Sequence, residues 1–151
     1  MASPPGLEPD EQLLARAPAS FRGAAAATIR TTFALSAARR RLDAYHQWQD
    51  VADLTGFTTM SPEMVLGVTE KTLLVWRTRF WSGRPRDITA RVALSTIHDV
   101  AIARHAMVTG LAIVFRNGAI VEVEAMRGRR LRRLGAELQR LLAEPGDRFR
   151  A

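Results

Sequence analysis

The chain has 151 residues, 47% hydrophobic and 25% charged, which fits one soluble globular domain able to bury a core without staples. It has no cysteine, so disulfide frameworks and thiolate metal sites are excluded. The formal charge of +7 is lopsided: residues 1–75 carry 7 basic and 8 acidic side chains, residues 76–151 carry 15 and 7, and the basic half favours anionic partners.

Residues 1–10, with Pro4, Pro5, Gly6 and Pro9, read as a flexible leader. They lack the basic start and apolar core of a signal peptide. The most apolar run, residues 23–28, is far short of the ~20 residues a spanning helix needs. The expected location is cytoplasmic, with contact to the inner membrane face at the surface alone. Residues 13–17 are too short to assign by pattern, and Pro18 interrupts them.

From residue 33 to about 54 the spacing of Leu35, Ala38, Leu42, Tyr45 and Ala52 predicts a helix with one apolar face, Gln49 being its polar exception. Gly56 is a suitable stop. Beyond it the character changes to strands. "MVLGVTEKTLLVWRTRFW" holds two β-branched, apolar runs around "TEK", a hairpin. Gly83 and Pro85 mark a turn. In "ITARVAL" the residues Ile88, Ala90, Val92 and Leu94 are expected on one face, and "IHDVAIARH" continues as a strand with Val100 and Ile102 on one face. "LAIVFRNGAIVEVEAM" is the strongest local signal, since Asn117-Gly118 suits a type I′ turn between antiparallel strands. On the return strand Val121 and Val123 are expected inward, Glu122 and Glu124 toward water. The last segment changes period: Leu131, Leu134, Leu138, Leu141 and Leu142 form one stripe, an amphipathic helix suited to cover a sheet. Pro145-Gly146 ends it.

Three stretches also resemble a known family. "MVLGVTEKTLLVWR" (64–77), "RVALSTIHDVAI" (91–102) and "GLAIVFRNGAIVEVEAM" (110–126) are similar, in that order, to the hairpins of bacterial pleckstrin-homology-like (PH-like) domains, especially those of small actinobacterial proteins. The resemblance covers roughly residues 60–143. It implies an α+β fold: an antiparallel meander or barrel of about seven strands, closed by the C-terminal helix, with an additional N-terminal helix. The first strand would come from residues 13–21, and the helix at 33–54 would be an insertion. One domain over residues 11–143 with a tail at 144–151 follows. In lipid-binding PH domains the first hairpin supplies the phosphoinositide grip; here it is interrupted, so that site is not carried over.

Two basic groups are candidate sites. Arg127, Arg129, Arg130, Arg132 and Arg133 crowd the start of the last helix, where positive charge opposes the helix dipole. A bound anion relieves that; so would Glu122, Glu124 or Glu137, with no ligand. Arg79, Trp81, Arg84 and Arg86 form the second group, a partner or membrane contact with Trp81 as its exposed aromatic. Lys71 is the single lysine beside 21 arginines, a skew that GC-rich coding alone produces, so the charge carries the argument. Ser95, His98 and Asp99 are neighbours, but adjacent strand residues diverge. The three histidines offer no ligand spacing and the glycines no phosphate loop, so neither enzyme activity, metal nor cofactor is expected. The preferred expectation is a non-catalytic binding or scaffold module acting on a protein or on anionic phospholipid headgroups. The alternatives are a nucleic-acid binder using the basic half, and an assembly subunit with the helix at 33–54 as its contact.

Overall fold

The computed structural model describes residues 4–21, 34–57, 63–78 and 84–144, with the first helix's side chains from residue 43 onward. The elements are β1 (Ala15–Phe21), α1 (Ala34–Asp53), β2 (Glu63–Val68), β3 (Thr72–Thr78), β4 (Pro85–Ala93), β5 (Ile97–His105), β6 (Val108–Phe115), β7 (Ile120–Met126) and α2 (Arg129–Ala143). This is an α+β fold: one antiparallel sheet in the order β4-β3-β2-β1-β7-β6-β5, with two helices. β4 and β5 stand at opposite ends of that order, yet the 3-10 turn Leu94–Thr96 joins them. The sheet must therefore curl enough to bring the adjoining ends of its outer strands to a short corner. Among the described residues no ladder pairs β4 with β5, so the sheet is open there.

The alternating strands line the inside of the curl. Thr109, Leu111, Ile113 and Phe115 of β6 are buried and their neighbours partly exposed, the period of a strand with one face on the core. The leucine stripe of α2 enters the same cluster, with Leu131, Leu134, Leu138 and Leu141 buried. At Gly135 a Cβ would lie 2.8 Å from Leu111 Cδ1 and 2.9 Å from Ile102 Cγ1, so its absence lets helix and sheet approach closely. On the edge strand β5, Gln139 Nε2 donates to the Val100 carbonyl at 2.9 Å, blunting an otherwise open edge.

α1 packs beside the junction of β1 and β7. β1 pairs with β7 through Ser20↔Glu124 and Phe21↔Val123. Further along β7, Trp48 Nε1 donates to the Glu122 carbonyl at 2.6 Å, satisfying a backbone acceptor from the helix side. Tyr45 packs on Phe21 with ring centroids 5.7 Å apart, and Trp48 meets Phe57 edge-on at 5.9 Å. The helix ends as expected, with Gly56 at φ +78°.

β2 and β3 are buried on both faces. Met64, Leu66, Val68, Leu73 and Val75 face the main core. Val65, Leu74 and Trp76 face outward into a second cluster, where Leu7 and Leu13 pack on them. Trp76 Nε1 donates to the Pro5 carbonyl at 2.7 Å, and Arg91 Nη2 donates to the Gly6 carbonyl at 2.5 Å. The described part of the expected leader, residues 4–10, thus lies bound across the outside of the sheet as a strap.

Three local expectations are corrected. Ile88 does not share a face with Ala90 and Val92. Val75 and Trp76 are adjacent in β3 but pair with Ala90 and Ile88, leaving Thr89 as an extra residue in β4. That bulge flips the parity and sends Ile88 to the outer cluster. Glu124 does not face water but is 8% exposed, because β7 lies inside the sheet with α1 packed against it. The Asn117-Gly118 turn is not type I′, which needs two positive φ angles. Gly118 alone has one, φ +90°. Gly118 N–H donates to the Phe115 carbonyl and Phe115 N–H to that of Ala119, the pattern of a type I turn closed by a glycine bulge.

Candidate functional site: an arginine-lined pocket

The core face of the β5-β6-β7 end of the sheet is apolar row by row until its last row. Val100, Ile113 and Val121 lie opposite one another, as do Ile102, Leu111 and Val123. The next row is Arg104, Thr109 and Ala125. Here the chain leaves the sheet twice, through the β5–β6 turn at Ala106-Met107 and the β7–α2 turn at Arg127-Gly128.

Both turns hold a non-glycine residue in the left-handed region, Ala106 and Arg127 each at φ +52°. Such a conformation costs about 1–3 kcal/mol and persists where the surroundings enforce it. The two turns enforce each other: Arg127 N–H donates to the Met107 carbonyl at 2.7 Å. A Cβ at Gly128 would stand 2.7 Å from Thr109 Cβ and 3.3 Å from Ala125 Cβ. Only glycine lets the chain turn so tightly into α2.

The result is a pocket of about 180 Å³ lined by Arg104, Ala106, Met107, Thr109, Arg127 and Arg132. No carboxylate lines it. Arg104, Arg127 and Arg132 have no ion-pair partner among the described residues. The Nε of Arg132 is buried and has no hydrogen-bond partner, a state that costs about 1–3 kcal/mol for a neutral group and more for a charged one. Three arginines line one hollow next to the positive end of a 15-residue helix. Such a lining favours negative charge.

The structure redistributes the five arginines expected at this end. Arg127 and Arg132 line the pocket, while Arg129, Arg130 and Arg133 are exposed on α2 and absent from its lining. By helical spacing Arg129 and Arg133 leave the side opposite the buried leucines, and Arg130 the flank away from Arg132. Glu137 does not relieve them, because it binds Arg140, which also binds Glu144. The hydrogen bond from Arg140 lowers the Glu137 carboxyl below its usual range. Glu122 and Glu124 have other partners. Arg104 was not among the expected site residues. Its place depends on the β5–β6 register, a signal visible only after that hairpin is aligned.

Of the second basic group, Arg79 and Trp81 lie outside the described residues. Arg84 and Arg86 are exposed at the start of β4, Arg86 at 3.9 Å from Asp87, and neither reaches the pocket. Asp87 is claimed by Arg77, Nη2 to Oδ1 at 2.9 Å. Ser95, His98 and Asp99 are all exposed, and the Asp99 carboxylate accepts from Val100 N–H at 2.8 Å. Among the described residues no group of three or more acidic or histidine side chains is placed to hold a metal, and no helix is long and apolar enough to cross a membrane. No protein-family model matches the chain, and no curated protein matches it significantly.

Proposed function

We propose that the protein is a non-catalytic binding module of the PH-like kind that docks the end bearing α2's first turns on an anionic membrane face. The observation that carries this reading is one end of the molecule. Arg104, Arg127 and Arg132 line a hollow with Met107, and Arg129, Arg130 and Arg133 are exposed on the adjoining first turns of α2; none of the six has an ion-pair partner among the described residues. Met107 and Met126, beside the two turns, are 53% and 54% exposed. Large apolar side chains set among cations suit a lipid interface, where the methionines enter the acyl boundary and each nearby arginine contributes about 1 kcal/mol. The PH-like part is supported by the strand order, the Leu94–Thr96 corner between the outer strands and the closing helix.

Co-sedimentation with phosphatidylcholine vesicles, with and without phosphatidylglycerol, tests the reading at two salt concentrations. Binding is expected to require the anionic lipid, to fall as salt rises, and to drop on replacing Arg129, Arg130, Arg132 and Arg133 together with alanine. Equal binding to neutral vesicles, or capture by duplex DNA but not by vesicles, overturns it.

A further inference from the structure

We propose that the Arg104–Arg127–Arg132 pocket is a specific site for a phosphomonoester, the terminal phosphate of a lipid headgroup being its source; the choice of source rests on the membrane reading above. Exposed arginines scattered over a surface attract any anion. This pocket is different in three respects.

First, its cations come from separate elements: Arg104 from the end of β5, Arg127 from the turn after β7 and Arg132 from the flank of α2. Guanidinium forks approaching from several directions match a tetrahedral group with three free oxygens. A phosphodiester offers two. Second, one lining arginine is under-satisfied: the Nε of Arg132 is buried without a hydrogen-bond partner, and its guanidinium has no ion-pair partner among the described residues. An oxyanion bound to that guanidinium would supply the missing counter-charge. Third, the backbone that builds the hollow is strained at Ala106 and Arg127 and locked by one hydrogen bond between the two turns. The two turns that carry the lining are therefore held together before any ligand arrives. At about 180 Å³ the space equals about six waters at ~30 Å³ each, enough for a phosphate and part of its shell. A phosphomonoester carries about −1.5 to −2 charges at neutral pH, against three guanidinium groups with no competing carboxylate in the lining. Met107 belongs to the lining and Met126 precedes Arg127, so a headgroup in the pocket leaves its acyl chains beside exposed apolar side chains.

The test uses the full chain in two measurements. In the first, vesicles contain phosphatidic acid or phosphatidylglycerol at matched surface charge. Wild-type protein is expected to prefer the monoester about tenfold. Arg104→Gln and Arg132→Gln, made separately, are expected to abolish that preference while retaining binding to phosphatidylglycerol through the remaining arginines. Arg140→Gln, an equal loss of charge on the same helix outside the pocket, is expected to keep it. In the second, inorganic phosphate is titrated into wild-type protein, with sulfate at equal ionic strength as the comparison. Amide resonances of Arg104, Thr109 and Arg132 are expected to move with phosphate, saturably and further than with sulfate. The second measurement needs no variant, so a substitution that unfolds the protein does not spoil the test. Equal affinity for both lipids together with no phosphate-specific shifts overturns the pocket and leaves the membrane reading intact. Phosphate-specific shifts without vesicle binding support the pocket, identify a soluble phosphomonoester as the source, and sink the membrane reading instead.

Discussion

Trp76 shows how a single side chain sets its neighbours. A Cβ at Gly67 would lie 2.5 Å from Trp76 Cζ3 and 2.7 Å from Leu13 Cδ1, so the strand opposite the indole can carry only hydrogen there. Gly67→Ala is expected to destabilise by about 1–3 kcal/mol through overpacking, lowering the melting temperature by several degrees in calorimetry. A variant as stable as wild type would mean that the indole and Leu13 shift freely. Nearby, Glu11 accepts from Arg91 Nη1 at 2.8 Å through Oε1 and 2.9 Å through Oε2, and from Glu8 N–H at 2.9 Å. The Glu8 bond first and the Arg91 bond second hold the Glu11 carboxyl below its usual range. A lowered folded-state pKa gives stability that is present above the ordinary carboxylate range and lost as pH falls through the lowered value. Acidification is therefore expected to loosen the strap, read from the Trp76 indole N–H resonance, and Glu11→Gln to remove that acid step. Little of this was legible beforehand. The two apolar runs around "TEK" announce a hairpin without saying that Leu74 and Trp76 turn away from the main core, because alternation cannot tell which of two buried faces covers which cluster. Nor can it reveal the extra residue at Thr89 that moves Ile88.

At the scale of elements, the strongest periods were the most readable. Strands on both sides of "TEK", the strand at residues 15–21 and the final helix stand where alternation, resemblance and the leucine stripe put them. The stripe reads directly because α2 meets the sheet along one face, and its leucines differ in depth. Leu134 is fully buried, whereas Leu142 lies partly buried beside the cluster. Leu134→Ala is expected to cost about 2–5 kcal/mol and Leu142→Ala clearly less, measurable as a difference in urea midpoint at constant slope. Equal losses would contradict the placement of the helix. The first helix was less readable. Its face was assigned without Trp48, whose indole lies half in the core and half on the edge of β7. A hydrogen bond to a strand carbonyl leaves no periodic trace. The arginines of the last helix were legible as a basic cluster and not as a pocket, since two of the three pocket cations come from outside the helix.

For the whole molecule, sequence reading reached the meander but not its curvature. The order β4-β3-β2-β1-β7-β6-β5 follows from β1 pairing on both sides, a long-range choice between residues about a hundred positions apart. Charge follows the same division. The acidic side chains Glu8, Asp10, Glu11 and Glu70 line an open depression of about 550 Å³ with Lys71 and Arg91, while the unpaired arginines stand on the β5–β7 side of the sheet. A molecule so polarised is expected to orient in an electric field such as that of an anionic bilayer before it touches it.

The strap gives the opening residues a duty that their prolines conceal. With the Pro5 carbonyl and Leu7 gone, the outer side of β2-β3-β4 becomes a bare greasy plate of Val65, Leu74, Trp76 and Ile88. A version trimmed to begin at residue 14 is expected to self-associate through that plate, eluting ahead of the intact chain in size-exclusion chromatography; co-elution as a monomer would show the plate to be harmless. The strap's Pro5 and Leu7 lie on this outer plate and line no part of the arginine hollow.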